Sequence, residues 1–242
     1  MSKLNDDLYL TPVTFTGIFG SMVLNLVVIA DPKKGLTLVD TSMPGHIGAI
    51  EEALAADGFK IEDIKQIIIT HQDVDHIGSL AHVKNASGAK VIAHSIEVPF
   101  IEGKQRSVKY PSQERFDQNP GMQEMFEAIA RAPVDQVVED GEVLDLAGGV
   151  RVIHTPGHTL GHISLFLERS KILITGDALT SAEGQLRGFG EGATPDHPTA
   201  IESVKKLASL SEVNAIVTYH GGLVSDDPLG QLQRVARELS NA

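Results

Sequence analysis

Four side chains able to hold divalent cations fall within six residues of the stretch THQDVDHIGS at 70–79: His71, Asp73, Asp75 and His76. The chain has no cysteine, which excludes thiolate ligands and disulfides, so any metal must sit on imidazole and carboxylate. That donor set suits zinc, iron, manganese or cobalt. On a helix, neighbouring side chains point in different directions, whereas a loop leaving a strand can turn all four towards one pair of cations. Taken alone, a polar loop with two histidines is equally compatible with a solvated turn.

Three further windows share the character of that loop. HTPGHTLGHIS at 154–164 offers His158 as the favoured ligand, with Pro156 and Gly157 tightening the turn before it; His154 and His162 read as supporting or structural residues. In TGDA at 175–178, Asp177 could bridge two cations through its two oxygens, and in TYHGG at 218–222, His220 ends an apolar run with glycines that let the chain pass close by. Each of the last two is weak by itself. What joins all four is position, because each follows a strand-like run, and a folded sheet can bring such ends to one edge.

The elements that must position these residues follow from apolar runs bounded by turn residues. Strands are predicted at 22–30, 35–39, 64–70, 89–93, 150–154, 163–168, 171–175 and 213–218, with helical periodicity at 47–57, 78–85, 199–210 and 229–239. The class is therefore α/β. The stretch 134–146 reads as a hairpin turning at Asp140 and Gly141. Residues 95–133, with Pro111 and Pro120 among weakly helical runs, break the strand rhythm as an insertion, either a lid or substrate wall over a site or a solvated decoration. The Gly-rich loop at 181–194 could also border the site. No linker divides the chain, so 1–242 is read as one domain.

Composition narrows the partners. A formal charge of −12 repels polyanions and anionic headgroups, so neither nucleic acid nor membrane is expected as a partner, and a small-molecule substrate is. The first residues are acidic where a secretory leader would be basic, and no segment reaches the ~20 apolar residues of a membrane span, so a cytoplasmic location is expected. The oligomeric state stays open, a homodimer included.

In this order the motifs resemble those of the metallo-β-lactamase superfamily: an early aspartate (Asp40 in LVDT), T-H-x-H-x-D-H, P-G-H-T, G-D and a late histidine. The resemblance runs from about Asn25 to Gly221, and its combination is specific although single members are not. It implies a four-layer αββα sandwich with two divalent metals at the edge between two sheets. By similarity, His71, Asp73 and His158 would hold the first metal, Asp75, His76 and His220 the second, with Asp177 bridging and Asp40 orienting ligands from behind. The departure is Asp73, where the family usually has histidine. A carboxylate adds negative charge and a harder donor, so zinc is the first expectation and Asp73 favours iron or manganese. The alternative is that Asp73 is no ligand and the first site is weak.

The implied activity is hydrolysis by a hydroxide shared between the cations, attacking an ester, lactone or thioester carbonyl, with Asp75 passing a proton to the leaving group. Tyr219 could donate to the oxyanion or simply pack. Glutathione thioesterases of the superfamily carry a helical C-terminal domain, and here one short helix follows His220, which lowers that subtype; a lactonase stays plausible on the site alone. Two other readings remain: a non-haem di-iron oxidoreductase, because superfamily members of that kind carry a carboxylate at the position of Asp73, and a phosphodiesterase, which the acidic charge disfavours.

Overall fold

The computed structural model describes residues 2–17 and 20–241. The chain divides into two compact units, one of Met1–Ala93 with Glu97–Val137 and one of His94–Ile96 with Val138–Ala242.

The first unit is built on a mixed sheet in the order β1 (Ser2–Asn5), β2 (Leu8–Gly17), β3 (Gly20–Asp31), β4 (Gly35–Val39), β5 (Ile64–Ile69), β6 (Lys90–His94) and β7 (Gln136–Val138). The strands β1 to β4 are antiparallel neighbours, whereas β4, β5 and β6 run parallel. Parallel neighbours need crossovers. These are α1 (Ile47–Ala55) between β4 and β5, and α2 (Val74–Ile77) with α3 (Leu80–Ser87) between β5 and β6. Near-continuous apolar runs in β3 and β5 leave Leu24, Leu26, Val28, Ile67, Ile68 and Ile69 buried, as expected for strands covered on both faces. Ile50 and Leu54 supply the buried stripe of α1.

The irregular stretch from 95 to 133 carries three short α-helices, α4 (Val98–Ile101), α5 (Gln113–Gln118) and α6 (Pro120–Glu127). An aromatic cluster holds its middle: Tyr110 meets Phe116 and Phe126 edge-on at 5.5 Å each. Its exit is tied down by Asp135, which accepts the Val91 N–H at 2.8 Å and returns its own N–H to the Val91 carbonyl at 2.8 Å.

The second unit is a sheet in the order β15 (Gly222–Val224), β14 (Ala215–Thr218), β11 (Ile172–Ile174), β10 (Ile163–Leu167), β9 (Val150–His154), β8 (Val143–Leu144), with a ribbon of β12 (Thr180–Ala182) and β13 (Gln185–Arg187). Two helices cover it, α7 (His197–Ala208) and α8 (Pro228–Ser240). Each starts on an aspartate N-cap followed by an early proline: Asp196 accepts the Thr199 N–H at 3.1 Å, and Asp227 the Gly230 N–H at 3.3 Å. Ala200, Val204 and Leu207 of α7 join Leu232, Val235 and Ala236 of α8 in one core with Ile153, Phe166, Leu173 and Ile216.

One expectation is corrected. The stretch 134–146 does turn at Asp140 and Gly141, but it is no hairpin, since β7 belongs to the first sheet and β8 to the second. Beyond the turn, the Gly141 N–H donates to the Val152 carbonyl at 2.9 Å and the Val152 N–H to the Glu142 carbonyl at 2.8 Å. The arm after the turn therefore pairs with β9 instead of returning along β7.

Candidate metal centre

In the first unit, parallel pairing decides which chain ends meet. Val39 of β4 lies opposite Ile68 of β5, so the residues that follow each strand emerge side by side, and the Asp40 N–H donates to the Ile68 carbonyl at 2.9 Å. Asp40 adopts a left-handed φ of 62°, which swings its carboxylate under the loop after β5. There it accepts the Thr70 N–H (Oδ1, 2.8 Å), the Thr70 hydroxyl (Oδ2, 2.8 Å) and His76 Nδ1 (Oδ2, 2.9 Å).

These bonds fix two imidazole tautomers. A carboxylate only accepts, so His76 Nδ1 carries its proton; the Thr70 hydroxyl spends its proton on Asp40, so it must accept from His71 Nδ1, 3.0 Å away. In the neutral ring this leaves the lone pair on Nε2, the state a metal ligand needs. Each Nε2 faces a carboxylate, His71 at 3.4 Å from Asp73 Oδ2 and His76 at 3.7 Å from Asp75 Oδ2. Asp75 and His76 do not lie in an open loop, as the sequence suggests, but in the single turn of α2, whose N-cap position is Asp73. The turn is held by donation from the Thr41 N–H and hydroxyl to the His76 carbonyl, both at 2.8 Å. His71 and His76 are buried.

In the second unit the same device recurs. β11 and β14 are parallel with Ile174 opposite Val217, so Asp177 and His220, each three residues beyond those positions, leave the sheet together. A single oxygen, Asp177 Oδ2, lies 3.4 Å from His158 Nε2 and 3.4 Å from His220 Nε2. That spacing is long for an ideal hydrogen bond, and it matches two ligands sharing a cation: atoms each ~2.1 Å from a tetrahedral metal stand about 3.4 Å apart.

Backbone approach accounts for the glycines beside His158 and His220. Gly157, at φ +127°, presses on the first turn of α7, where a Cβ would come within 2.4 Å of the Ala200 nitrogen, and Ser203 Oγ donates to the Pro156 carbonyl at 2.6 Å. At Gly221, φ +119°, a Cβ would stand 1.8 Å from the Ser181 carbonyl oxygen. The ring of His158 is steadied by a 3.2 Å hydrogen bond between Nδ1 and Thr194 Oγ1.

His162 has a specific task. Its Nε2 accepts the Asp177 N–H at 3.0 Å, so its proton is on Nδ1 and is donated to Thr155 Oγ1 at 2.8 Å. Thr155 passes on to Ser164 Oγ at 3.1 Å, and Ser164 ends the chain on the Thr175 carbonyl at 3.1 Å. The backbone of Asp177 is therefore pinned from inside the core. His154, by contrast, donates from Nε2 to the Leu160 carbonyl at 2.9 Å and stacks on His94 with centroids 4.4 Å apart. Tyr219 is buried, its ring edge-on to His220 at 5.2 Å.

Some contributors carry no signal in the sequence. Glu97, fully buried, accepts the Gln72 N–H at 2.9 Å and so fixes the backbone between His71 and Asp73. Lys109, from the irregular stretch 95–133, forms an ion pair with Asp73 Oδ2. Thr70 is visible only as the residue before a histidine, and Thr194 lies 36 residues from the ring it supports.

The family model described as the metallo-beta-lactamase superfamily matches residues 22–220. A probable metallo-hydrolase, YflN of Bacillus subtilis, is 33% identical over 221 residues, covering 82% of this chain and 81% of that protein. The hydroxyacylglutathione hydrolase GloC of Haemophilus influenzae is 26% identical over 215 residues, covering 87% of this chain and 90% of that one. Among solved structures, a metallo-beta-lactamase family protein from Thermus thermophilus aligns with a TM-score of 0.71 at 25% identity, over 99% of this chain and 80% of the other. The fold class is thus the α/β sandwich that the motifs implied. Among the described residues no helix is long and apolar enough to cross a membrane. Matched over residues 22–220 and alongside metallo-hydrolase relatives, the chain belongs to the metallo-β-lactamase superfamily, as a metal-dependent hydrolase.

Proposed function

We propose that the protein hydrolyses a carbonyl ester, lactone or thioester of a small molecule, acting as a single catalytic domain with two divalent cations. His71, Asp73 and His158 would hold the first cation and Asp75, His76 and His220 the second, with Asp177 shared between them. The observation that carries this reading is Asp177, whose one oxygen stands at the same 3.4 Å from the ligating nitrogens of two histidines assigned to different cations. Bound cations of this kind make water nucleophilic at neutral pH and polarise a carbonyl oxygen.

The chain's own residues do the positioning. Asp40 keeps His76 and, through Thr70, His71 in the ligating tautomer; His162 keeps Asp177 in place; Tyr219 steadies the ring of His220 and is the candidate donor to a developing oxyanion. Asp75 is the candidate group to take the proton released by the attacking water and pass it to the leaving group. Zinc is the first expectation for the metal. Of the three substrate types, the thioester gains from the similarity to GloC, a hydroxyacylglutathione hydrolase of which this chain covers 90%.

The redox alternative rests on the carboxylate at 73, and that charge is countered locally by Lys109. Elemental analysis of protein purified without a metal-binding tag, followed by turnover assays on S-acylglutathione, lactone, ester and phosphodiester substrates before and after chelation, tests the proposal. Two equivalents of metal with chelator-sensitive thioesterase, lactonase or esterase activity are expected. Redox-cycling iron with no hydrolysis of any of these overturns it.

A further inference from the structure

The one position at which this chain departs from the family's ligand pattern is also the one at which a lysine sits on the ligand. Asp73 Oδ2 is the oxygen 3.4 Å from His71 Nε2, a spacing that suits a shared cation, and the same oxygen is the one that Lys109 Nζ holds. Both side chains are largely withdrawn from solvent, Asp73 at 18% and Lys109 at 19% exposure, so their attraction is screened less than that of a surface pair.

Lys109 is not there by the drift of a loose loop. Its N–H donates to Ser107 Oγ at 3.1 Å, and the Tyr110 N–H to the Ser107 carbonyl at 3.0 Å, which closes a tight turn over 107–110. Tyr110, next in sequence, is locked between Phe116 of α5 and Phe126 of α6, and the Arg106 guanidinium lies 5.0 Å from its ring centroid. On the other side, Glu97 holds the backbone of Gln72, so Asp73 is presented from a fixed loop. An ammonium and a carboxylate are thus brought together by two independently anchored segments.

Charge explains why the pairing matters. A histidine at 73 would be neutral. The aspartate adds one negative charge to a donor set that already holds Asp75 and Asp177, and one lysine restores the balance. A divalent cation beside His71 Nε2 would be drawn to the oxygen that the ammonium already occupies, and the two positive charges would repel each other. We infer that Lys109 is a built-in competitor for the first cation: it holds Asp73 in the metal-free protein and must be displaced from Oδ2 when metal binds. The stretch 95–133 thereby sets how tightly the first site is filled. This rests on the reading above that Asp73 ligates the first cation.

The test is a zinc titration of the full chain against a chromophoric chelator, for wild type, Lys109→Met, Lys109→Arg, Asp73→Asn and the double variant Asp73→Asn/Lys109→Met. Lys109→Met is expected to tighten one of the two zinc equivalents by about fivefold or more, in line with the loss of a competing, partly buried charge. Metal-free Lys109→Met should melt below wild type, because Asp73 has lost its counter-charge. Lys109→Arg should keep wild-type zinc affinity and melting temperature, and in the Asp73→Asn background Lys109→Met should change zinc affinity by less than about twofold. Unchanged or weaker zinc binding in Lys109→Met, or an equal gain in the Asp73→Asn background, overturns the competition. The underlying ligand assignment fails separately, by Asp73→Asn leaving both zinc equivalents at wild-type affinity.

Discussion

Replacing Asp40 by asparagine tests the positioning argument most directly. Asparagine has the same shape and tolerates the φ of 62° found at this position, so the backbone after β4 should survive. Its Oδ1 can still accept the Thr70 N–H, but its Nδ2 is a donor placed against two more donors, the Thr70 hydroxyl and His76 Nδ1–H. Hydrogen bonds to a charged group are each worth about 1.5–3 kcal/mol, so loss of two should lower the stability of the metal-free protein by ~3 kcal/mol or more. With the amide oxygen kept on the Thr70 N–H, His76 relieves the clash by moving its proton from Nδ1 to Nε2, the nitrogen assigned to the cation. Loss of such an outer partner typically weakens metal binding about 10- to 100-fold, and here the loss should fall on one equivalent first. Zinc competition against a chelator, read beside thermal melts of metal-free protein, separates the two effects. Asp40→Asn protein that binds both equivalents as tightly as wild type, whatever its melting temperature, would refute the claim that Asp40 sets the tautomer.

Three further outcomes follow from the same geometry. His158→Ala and His71→Ala should each strip metal and activity together, measured by elemental analysis and turnover; full activity in either variant would remove that residue from the ligand set. His162→Phe keeps a ring but leaves the buried Asp177 N–H without an acceptor, at a cost of about 1–3 kcal/mol, and should weaken zinc binding through the shifted carboxylate; a melting temperature that falls while zinc affinity holds would make His162 merely structural. His94, buried, accepts the Ile96 N–H at Nδ1 and faces Glu139 at 3.2 Å; burial, reinforced by the neighbouring His154, lowers its pKa below the ordinary 6.5. The unfolded chain then takes up this proton first, so the contribution is fully present above about pH 6.5 and is lost as the pH falls through the window below it. His94→Gln should therefore flatten the loss of melting temperature between about pH 7 and 5 relative to wild type, with metal content and activity intact, and identical pH slopes for the two proteins would contradict the assignment.

How much of this was legible beforehand depended on the range of the interaction. The strand at 35–39 and the strand at 150–154 begin and end where their apolar runs do, because those runs are short and flanked by turn residues. The helix expected at 199–210 starts two residues earlier, on the Asp196 cap, which announces itself only once Pro198 is recognised as an early helical position. The strand β2 went unread because Pro12 and alternating threonines hide a half-buried pattern, and the ribbon β12–β13 because its strands are only three residues long. The turn at Asp140 and Gly141 is local chemistry, yet which strand the returning arm pairs with is a choice between sheets that no local window contains.

The sequence by itself determined the donor types, their order and their placement after strands, since these depend on residue identity and on the period of a few neighbouring side chains. It also determined that no thiolate could take part, since the chain has no cysteine. Tertiary structure alone decided which atoms face which: that parallel pairing of β4 with β5 brings Asp40 under His76, that His162 meets the backbone of Asp177 15 residues further on, and that Lys109 crosses 36 residues to meet Asp73. Hydrogen bonds and ion pairs act over about 3 Å of space with no regard for distance along the chain, so the groups that tune a ligand appear only when the sheets have set their register.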